Sequence, residues 1–341
     1  MGIRAVTLAA ALLPGAQPPA PPLIERVEVV RVLVDARVLD GRDRPITGLT
    51  AADFRVRIGG KPARVESAEW IGAAPPDLRT PSSEPATRGP RVGGEGRLIV
   101  FLVQKSLEHG RIGGLMRTLF DSGPFFQTFT PHDRIAVLSF DSHLRVWLDF
   151  TDDRERVRQV LRHDVLLGRP PAVVASHAPS LLARLPPERG RSFSSVEQAL
   201  GGLADALRPL PGAKTVIVIG HGFGRASFSR DLSVATVALE DYKRIRYALQ
   251  DARATVFCLD ITEADYHTLE IGLQTVADDT GGFFERMFHF PASSFARLTA
   301  ALSGHYVLFV ERPGLGPGTH TIDVELTRHK GRVLARRQLE Q

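Results

Sequence analysis

Four short segments of the chain are apolar almost without interruption: Leu98 to Val103, Ile135 to Phe140, Thr215 to Ile219 and Ala254 to Leu259. A strand with one wet face alternates apolar and polar residues. Unbroken runs of this length therefore predict strands covered on both faces, as in a parallel sheet between helical layers. Between the runs the period changes. Ala238, Tyr242, Ile245 and Leu249 step by four, three and four residues, as do Val196, Leu200, Leu203 and Leu207, and each set makes one apolar stripe along a helix. Leu144 to Phe150 follows Phe140 too closely for a crossover helix, which predicts an antiparallel edge strand hairpinned to it. The expected fold over residues 97–303 is α/β, a doubly wound, mostly parallel sheet of Rossmann-like type.

Outside that span the pattern is β. Val27, Val29, Val32, Val34 and Val38 alternate imperfectly with polar residues, Asp40 to Pro45 and Gly59-Gly60-Lys61 read as turns, and Phe54 to Ile58 is a second strand. Strand patterns return at Tyr306 to Val310, Thr321 to Leu326 and Val333 to Arg336. Neither 23–72 nor 304–341 has enough strands to bury a core alone, so the two segments are expected to pair as one small flanking β module split by the α/β domain. Residues 73–96 hold Pro75, Pro76, Pro81, Pro85 and Pro90 with almost no large apolar residue, and read as a linker.

Composition narrows the function classes. The 341 residues are 43% hydrophobic, as in a globular protein. The net charge of +5 raises the question of nucleic acid, but the basic residues are scattered and interleaved with acids, as in Asp152-Asp153-Arg154-Glu155-Arg156, so no nucleic-acid partner is expected. Arg4, the apolar stretch Ala5 to Leu13 and Pro14-Gly15-Ala16 have the order of a signal peptide, with cleavage between Ala16 and Ala20 and a Pro-rich spacer to residue 22. Export to the periplasm or cell surface follows as an expectation. No other segment approaches the ~20 apolar residues that cross a bilayer, so no membrane span is expected. Cys258 is the single cysteine and sits in an apolar run, which suits a buried small hydrophobe and excludes an internal disulfide.

Several segments together resemble a known family. Val30 to Val38, Ile46-Thr-Gly-Leu-Thr-Ala-Ala-Asp-Phe54 and Gly60-Lys61-Pro62 are similar to the N-terminal module of exported bacterial VWFA-related proteins. Asp133 to Asp141, Leu148-Asp-Phe-Thr-Asp152, Leu273 to Gly282 and Tyr306-Val-Leu-Phe309 follow in the family's order. The resemblance implies a von Willebrand factor A-type domain, whose intact members hold a divalent ion at the carboxyl ends of the strands through Asp-x-Ser-x-Ser, a Thr and a second Asp. Here the first window reads Gln104-Lys105-Ser106-Leu107-Glu108, Ser194 stands at the Thr position, and Gly220-His221-Gly222 replaces the usual Thr-Asp-Gly. Both aspartates are missing. Lys105 adds a positive charge, and Glu108 returns only one carboxylate, so the resemblance implies a degenerate metal site with no cofactor and no catalytic residue.

Each candidate also has a plainer reading. Ser194 and Glu197 have the spacing of a capping box that opens a helix, which by itself accounts for the serine. His221 between two glycines suits either a solvent-facing loop residue or part of a remodelled binding crevice. Gly220-x-Gly222-x-Gly224 follows a strand but lacks the third glycine of the dinucleotide fingerprint, since position 225 is Arg225. No Gly-x-Ser-x-Gly elbow occurs, and a cluster of Asp141, His221 and Ser106 cannot be read from spacing. The sequence thus points to a non-enzymatic, metal-independent module of the cell envelope that binds a protein partner through Gln104, Ser106, Glu108, Ser194 and His221. Two alternatives stay open: an enzyme of unknown chemistry at the same crevice, and residual metal-dependent adhesion.

Overall fold

The structure, a computed structural model, describes residues 31–72, 96–106, 108–177, 179–228, 234–237, 242–263, 267–289 and 291–340. The expected signal peptide and spacer, the first residues of the β module up to 30, the 73–96 linker except Gly96, and Ala238 of the second helical stripe lie outside them. The chain runs β1 (Arg31–Leu39), β2 (Phe54–Ile58), β3 (Lys61–Ala63), β4 (Val65–Gly72), β5 (Leu98–Gln104), α1 (His109–Asp121), α2 (Gly123–Phe126), β6 (Arg134–Phe140) and β7 (Leu144–Thr151). It continues through α3 (Arg154–Gln159), α4 (Val165–Leu167), α5 (Val196–Leu207), β8 (Lys214–Gly220), β9 (Arg225–Phe228), β10 (Val234–Val237) and α6 (Tyr242–Asp251). The last elements are β11 (Ala254–Asp260), α7 (Glu270–Thr280), β12 (Phe284–Arg286), α8 (Pro291–Leu302), β13 (Gly304–Glu311), β14 (Thr319–Leu326), β15 (Arg332–Ala335) and β16 (Gln338–Glu340).

The central sheet has the order β12-β11-β8-β5-β6-β7, parallel throughout except that β7 returns antiparallel to β6. Burial on both faces, inferred above from the unbroken apolar runs, is visible residue by residue. Leu98, Val100 and Leu102 of β5 join one core with α5, α6 and α7, whereas Ile99, Phe101 and Val103 join another with α1, α3 and α8. β8 and β11 divide in the same way, Val218 and Cys258 to the first side, Ile219 and Leu259 to the second. The chain is a mostly parallel α/β sheet wound in both directions from β5.

The segments before and after this domain interleave. One four-stranded sheet has the order β15-β1-β13-β4 and the other β16-β14-β2-β3, so each of these two sheets takes strands from both ends of the chain. Their inner faces share a third core around Val34, Phe54, Val56, Tyr306 and Leu308. Tyr306 orders it: its ring meets Phe54 and Trp70 edge-on at 5.3 and 5.1 Å, and its hydroxyl accepts from the Leu49 amide (3.0 Å) and donates to the Ile46 carbonyl (3.1 Å). The other face of β1 meets the α/β domain. Arg37 donates to Thr255 Oγ1 (3.0 Å) and to the Ala301 carbonyl (3.1 Å), and Arg253 pairs with Asp35 (2.6 Å). Gly281, in the left-handed conformation that ends α7, would drive a side chain into the backbone of Ala335 and Arg336. Arg253 and Thr255 stand at the amino end of β11, so among the described residues the β module packs on the side of the amino ends of the parallel strands.

Candidate functional site

β5 and β8 are parallel neighbours, yet the chain leaves them toward opposite faces, to α1 in one core and α6 in the other. Such a switch point opens a crevice beyond the strand ends. Gln104, the last residue of β5, closes its floor: Gln104 Oε1 accepts from the His221 amide at 3.0 Å. Gly220 makes room, since a Cβ there would lie 2.6 Å from the same oxygen. An uncharged amide bonded to backbone thus stands where the resemblance places an aspartate.

The rest of the first window is committed to local structure. Lys105 donates its backbone N–H to the Phe140 carbonyl (2.8 Å) and lays its ammonium over Trp147, where burial lowers its pKa against the pull of Asp141. Ser106 Oγ accepts from the Glu108 amide (3.2 Å), turning the chain into α1. The Glu108 carboxylate pairs with Arg111 at 2.9 Å on the surface, so its charge is already answered. Asp141 faces Arg145 at 3.4 Å, leaving the Asp141, His221 and Ser106 constellation without shared partners.

Two readings require correction. The cap of α5 is Ser195, whose Oγ accepts from the Gln198 amide (3.2 Å), and Ser194 instead donates its hydroxyl to Gln198 Oε1 (2.9 Å). The adjacent serines allow a one-residue shift because Glu197 turns away into the core and accepts from the Gly224 amide. His221 is not a solvent-facing loop residue: it is 9% exposed, and burial, with Arg111 and His267 nearby, lowers its pKa to about 4, so the ring is neutral near pH 7. The glycine loop is likewise no phosphate cradle. The His221, Phe223 and Gly224 amides already donate to Gln104, to the Leu269 carbonyl (3.1 Å) and to Glu197.

Gln104 and His221 are therefore in contact, Ser106 and Glu108 continue from them along the rim, and Ser194 is bonded into the start of α5. A charged cluster one strand further along escaped the sequence reading. Asp260 ends β11 as the register partner of Gly220; its Oδ2 lies 2.7 Å from His267 Nε2, and its Oδ1 accepts from the Thr262 amide at 2.9 Å. Glu270, in the first turn of α7, is 2% exposed and receives Arg286 through two hydrogen bonds of 2.7 and 3.0 Å. The signal available was a charged residue at the carboxyl end of a buried strand, just past Leu259.

Gly222 locks this cluster to the crevice loop. It holds φ +146°, and a Cβ would sit 2.4 Å from Leu269 Cβ at the entrance to α7. Gly222→Ala should therefore destabilise the chain by about 2–3 kcal/mol, strain and clash together. Gly212→Ala, at φ +71° with nothing within 4 Å, isolates the strain at about 1 kcal/mol. Urea unfolding of the two variants checks the difference.

No protein-family model and no curated protein sequence matches the chain. Among solved structures, the chain is similar to a von Willebrand factor type A protein from Catenulispora acidiphila at 12% identity and a TM-score of 0.42, covering 86% of this chain and 74% of that one. It is similar to the human COPII-coat protein Sec24c at 9% identity and a TM-score of 0.40, covering 72% of this chain and 43% of that one. It is also similar to the conserved hypothetical protein BatB from Bacteroides thetaiotaomicron at 11% identity and a TM-score of 0.38, covering 61% and 98% respectively. The fold assignment rests on the strand order of the central sheet.

Proposed function

We propose that the chain is a non-enzymatic, exported protein-binding or scaffold module of the cell envelope, whose partner docks on the rim formed by the loops after β5 and β8. The observation that carries this reading is the Gln104 to His221 bond. It puts a neutral amide where a Mg²⁺ ion would need a carboxylate, and the one acid of the window, Glu108, is paired with Arg111. Recognition at the crevice itself is then independent of Mg²⁺. The hydroxyls and the imidazole argue against nucleophilic catalysis, because Ser106 and Ser194 are bonded to local partners and His221 contacts neither. The β module packs at the opposite end of the sheet, away from the rim. Export rests on the N-terminal apolar stretch of the sequence.

Photo-crosslinking in the envelope fraction tests the reading. A photoreactive residue at His109, exposed beside the rim, should capture a defined protein with and without added Mg²⁺. The same probe at Lys330, exposed in the turn between β14 and β15, should not capture it, and Arg111→Glu should abolish capture from position 109. Equal capture from both positions, or capture that requires Mg²⁺, would overturn the proposal.

A further inference from the structure

The cluster beyond the crevice has the chemistry of a different kind of site. Asp260, His267 and Glu270 each bring one ligand-type atom to within 4.8 Å of the other two, and Asp260 and Glu270 are buried. Two other side chains on the same rim are unsatisfied. His221 Nδ1 and Thr262 Oγ1 are both buried without a hydrogen-bond partner among the described residues. Neither belongs to a distant part of the fold: Gly220, next to His221, pairs in register with Asp260, and Thr262 gives its amide to the Asp260 carboxylate. Buried polar atoms without partners are uncommon, and a ligand is one of the things that completes them.

The geometry points to a binding site for a zinc-class divalent transition metal, ligated by Asp260, His267 and Glu270, with a fourth position left for a water or an added ligand. The donor set decides the class. One imidazole with two carboxylates suits Zn²⁺, which accepts nitrogen and oxygen at about 2.0–2.2 Å in a tetrahedron, whereas Mg²⁺ and Ca²⁺ prefer oxygen alone. The present 2.7 Å between His267 Nε2 and Asp260 Oδ2 is a hydrogen-bond distance and needs to open by about 0.6 Å to reach the ~3.3 Å between two ligands of one tetrahedral ion. Arg286 is the competitor, because it now occupies both Glu270 oxygens. Its side chain is 47% exposed and lies 5.9 Å from the Phe284 ring, so it can swing away without being buried unpaired. The site shares no ligand with the partner-binding rim, and its chemistry is nitrogen and carboxylate ligation of a borderline-soft ion, not adhesion through Mg²⁺.

Titration of the metal-free full chain with Zn²⁺ alone, followed by calorimetry, should give saturable binding of one ion. His267→Gln, which keeps a hydrogen bond to Asp260, should weaken it at least tenfold. Arg286→Gln should strengthen it by removing the competing cation, a gain that a purely structural Arg286 to Glu270 pair would not produce. Co²⁺ in place of Zn²⁺ should show the intense visible absorption of tetrahedral coordination, lost in His267→Gln. Absence of stoichiometric Zn²⁺ binding in the natural chain overturns the assignment. So does binding that His267→Gln and Arg286→Gln both leave unchanged, since the ion would then be held by surface histidines.

Discussion

Replacing Asp35 with alanine should destabilise the chain by about 3–5 kcal/mol, because it strands buried positive charge between the β module and the α/β domain. Asp35 is 7% exposed on β1 and binds Arg253 through two hydrogen bonds, Nη2 to Oδ1 at 2.6 Å and Nε to Oδ2 at 3.2 Å. His305 Nε2 lies 3.6 Å from the same carboxylate, and Arg37 and Arg336 also interact with it. Asp35→Asn keeps the volume and should lose nearly as much, which separates charge from packing in equilibrium urea unfolding. Burial raises the Asp35 pKa, but Arg253, His305 and Arg336 outweigh it and hold the carboxyl below its ordinary 3.8. The group therefore contributes its stability above that value and loses it as pH falls through the depressed one, so natural and variant curves should converge in strong acid. His305 adds a second acid sensitivity. Burial, with Arg37, Arg253 and Arg97, lowers its pKa to about 4 against the opposing pull of Asp35. Between its ordinary 6.5 and about 4 the unfolded chain takes up a proton that the folded chain refuses, so stability falls with pH across that window, by on the order of 3 kcal/mol. His305→Gln should make the curve shallower there, the remaining slope belonging to His221, whose pKa is lowered alike.

Why some of this was legible in the sequence and some was not follows from the kind of signal each element leaves. β5, β6, β8 and β11 are covered on both faces, and a run such as Leu98 to Val103, too short for a buried helix and too apolar for a wet strand, fits little else. The hairpin of β6 and β7 was readable from loop length alone. Pairing of the two terminal segments was foreseeable from their shortage of strands, but the alternation β15-β1-β13-β4 was not, because register between distant segments depends on contacts that no local pattern encodes. β16 carries only Leu339 as a large apolar residue and owes its place to Glu340, which accepts from Thr319 Oγ1 at 2.6 Å and pairs with Arg246 of α6. Such a strand leaves almost no periodic signal.

The candidate site divides similarly. The resemblance marks Gln104 and His221, as the residues standing at two motif positions after buried strands, yet the bond between them spans 117 residues and no local pattern encodes it. Two flanking glycines suit an open loop for His221, whereas the histidine is buried and the next residue, Gly222, lies against Leu269. Asp260, His267 and Glu270 come from a strand end, a loop and a helix start, and their spacing matches no recurrent ligand pattern. The turn from β11 into α7 gathers them, with His267 bonded back to Asp260.

Asp149 should prove equally sensitive, at about 2–4 kcal/mol for Asp149→Ala, although it takes no part in an ion pair among the described residues. It is 4% exposed on the edge strand β7, and its two oxygens accept five hydrogen bonds. Oδ2 takes the Ser176 amide (2.9 Å), the Ser176 hydroxyl (3.1 Å) and the Ser180 hydroxyl (2.6 Å), and Oδ1 takes the Leu181 and Leu182 amides (2.8 and 3.2 Å). Burial raises the carboxyl's pKa, but Ser180, Ser176 and the Phe150 and Leu182 amides outweigh it and leave the group below its usual range, charged at neutral pH. Removing it leaves several buried donors without an acceptor, each worth about 1–3 kcal/mol before the segment relaxes toward water. An asparagine side chain would not be a neutral exchange, because one of its two polar atoms is a donor that would face either the Leu181 and Leu182 amides or the Ser176 amide; Asp149→Asn should therefore cost most of what Asp149→Ala costs. The effect should also be directional. This segment leads through Arg191, whose carbonyl accepts from the Leu144 amide (2.9 Å), and Phe193, whose amide donates to the Ser142 carbonyl (3.0 Å), into Ser194 and α5. Hydrogen exchange should show the Ser176, Leu181 and Leu182 amides losing protection first, with the opening reaching Phe193 before β5 or β8 responds. If Asp149→Asn kept those amides protected, the carboxylate would be a bystander to a loop held by its apolar contacts, Leu181 foremost.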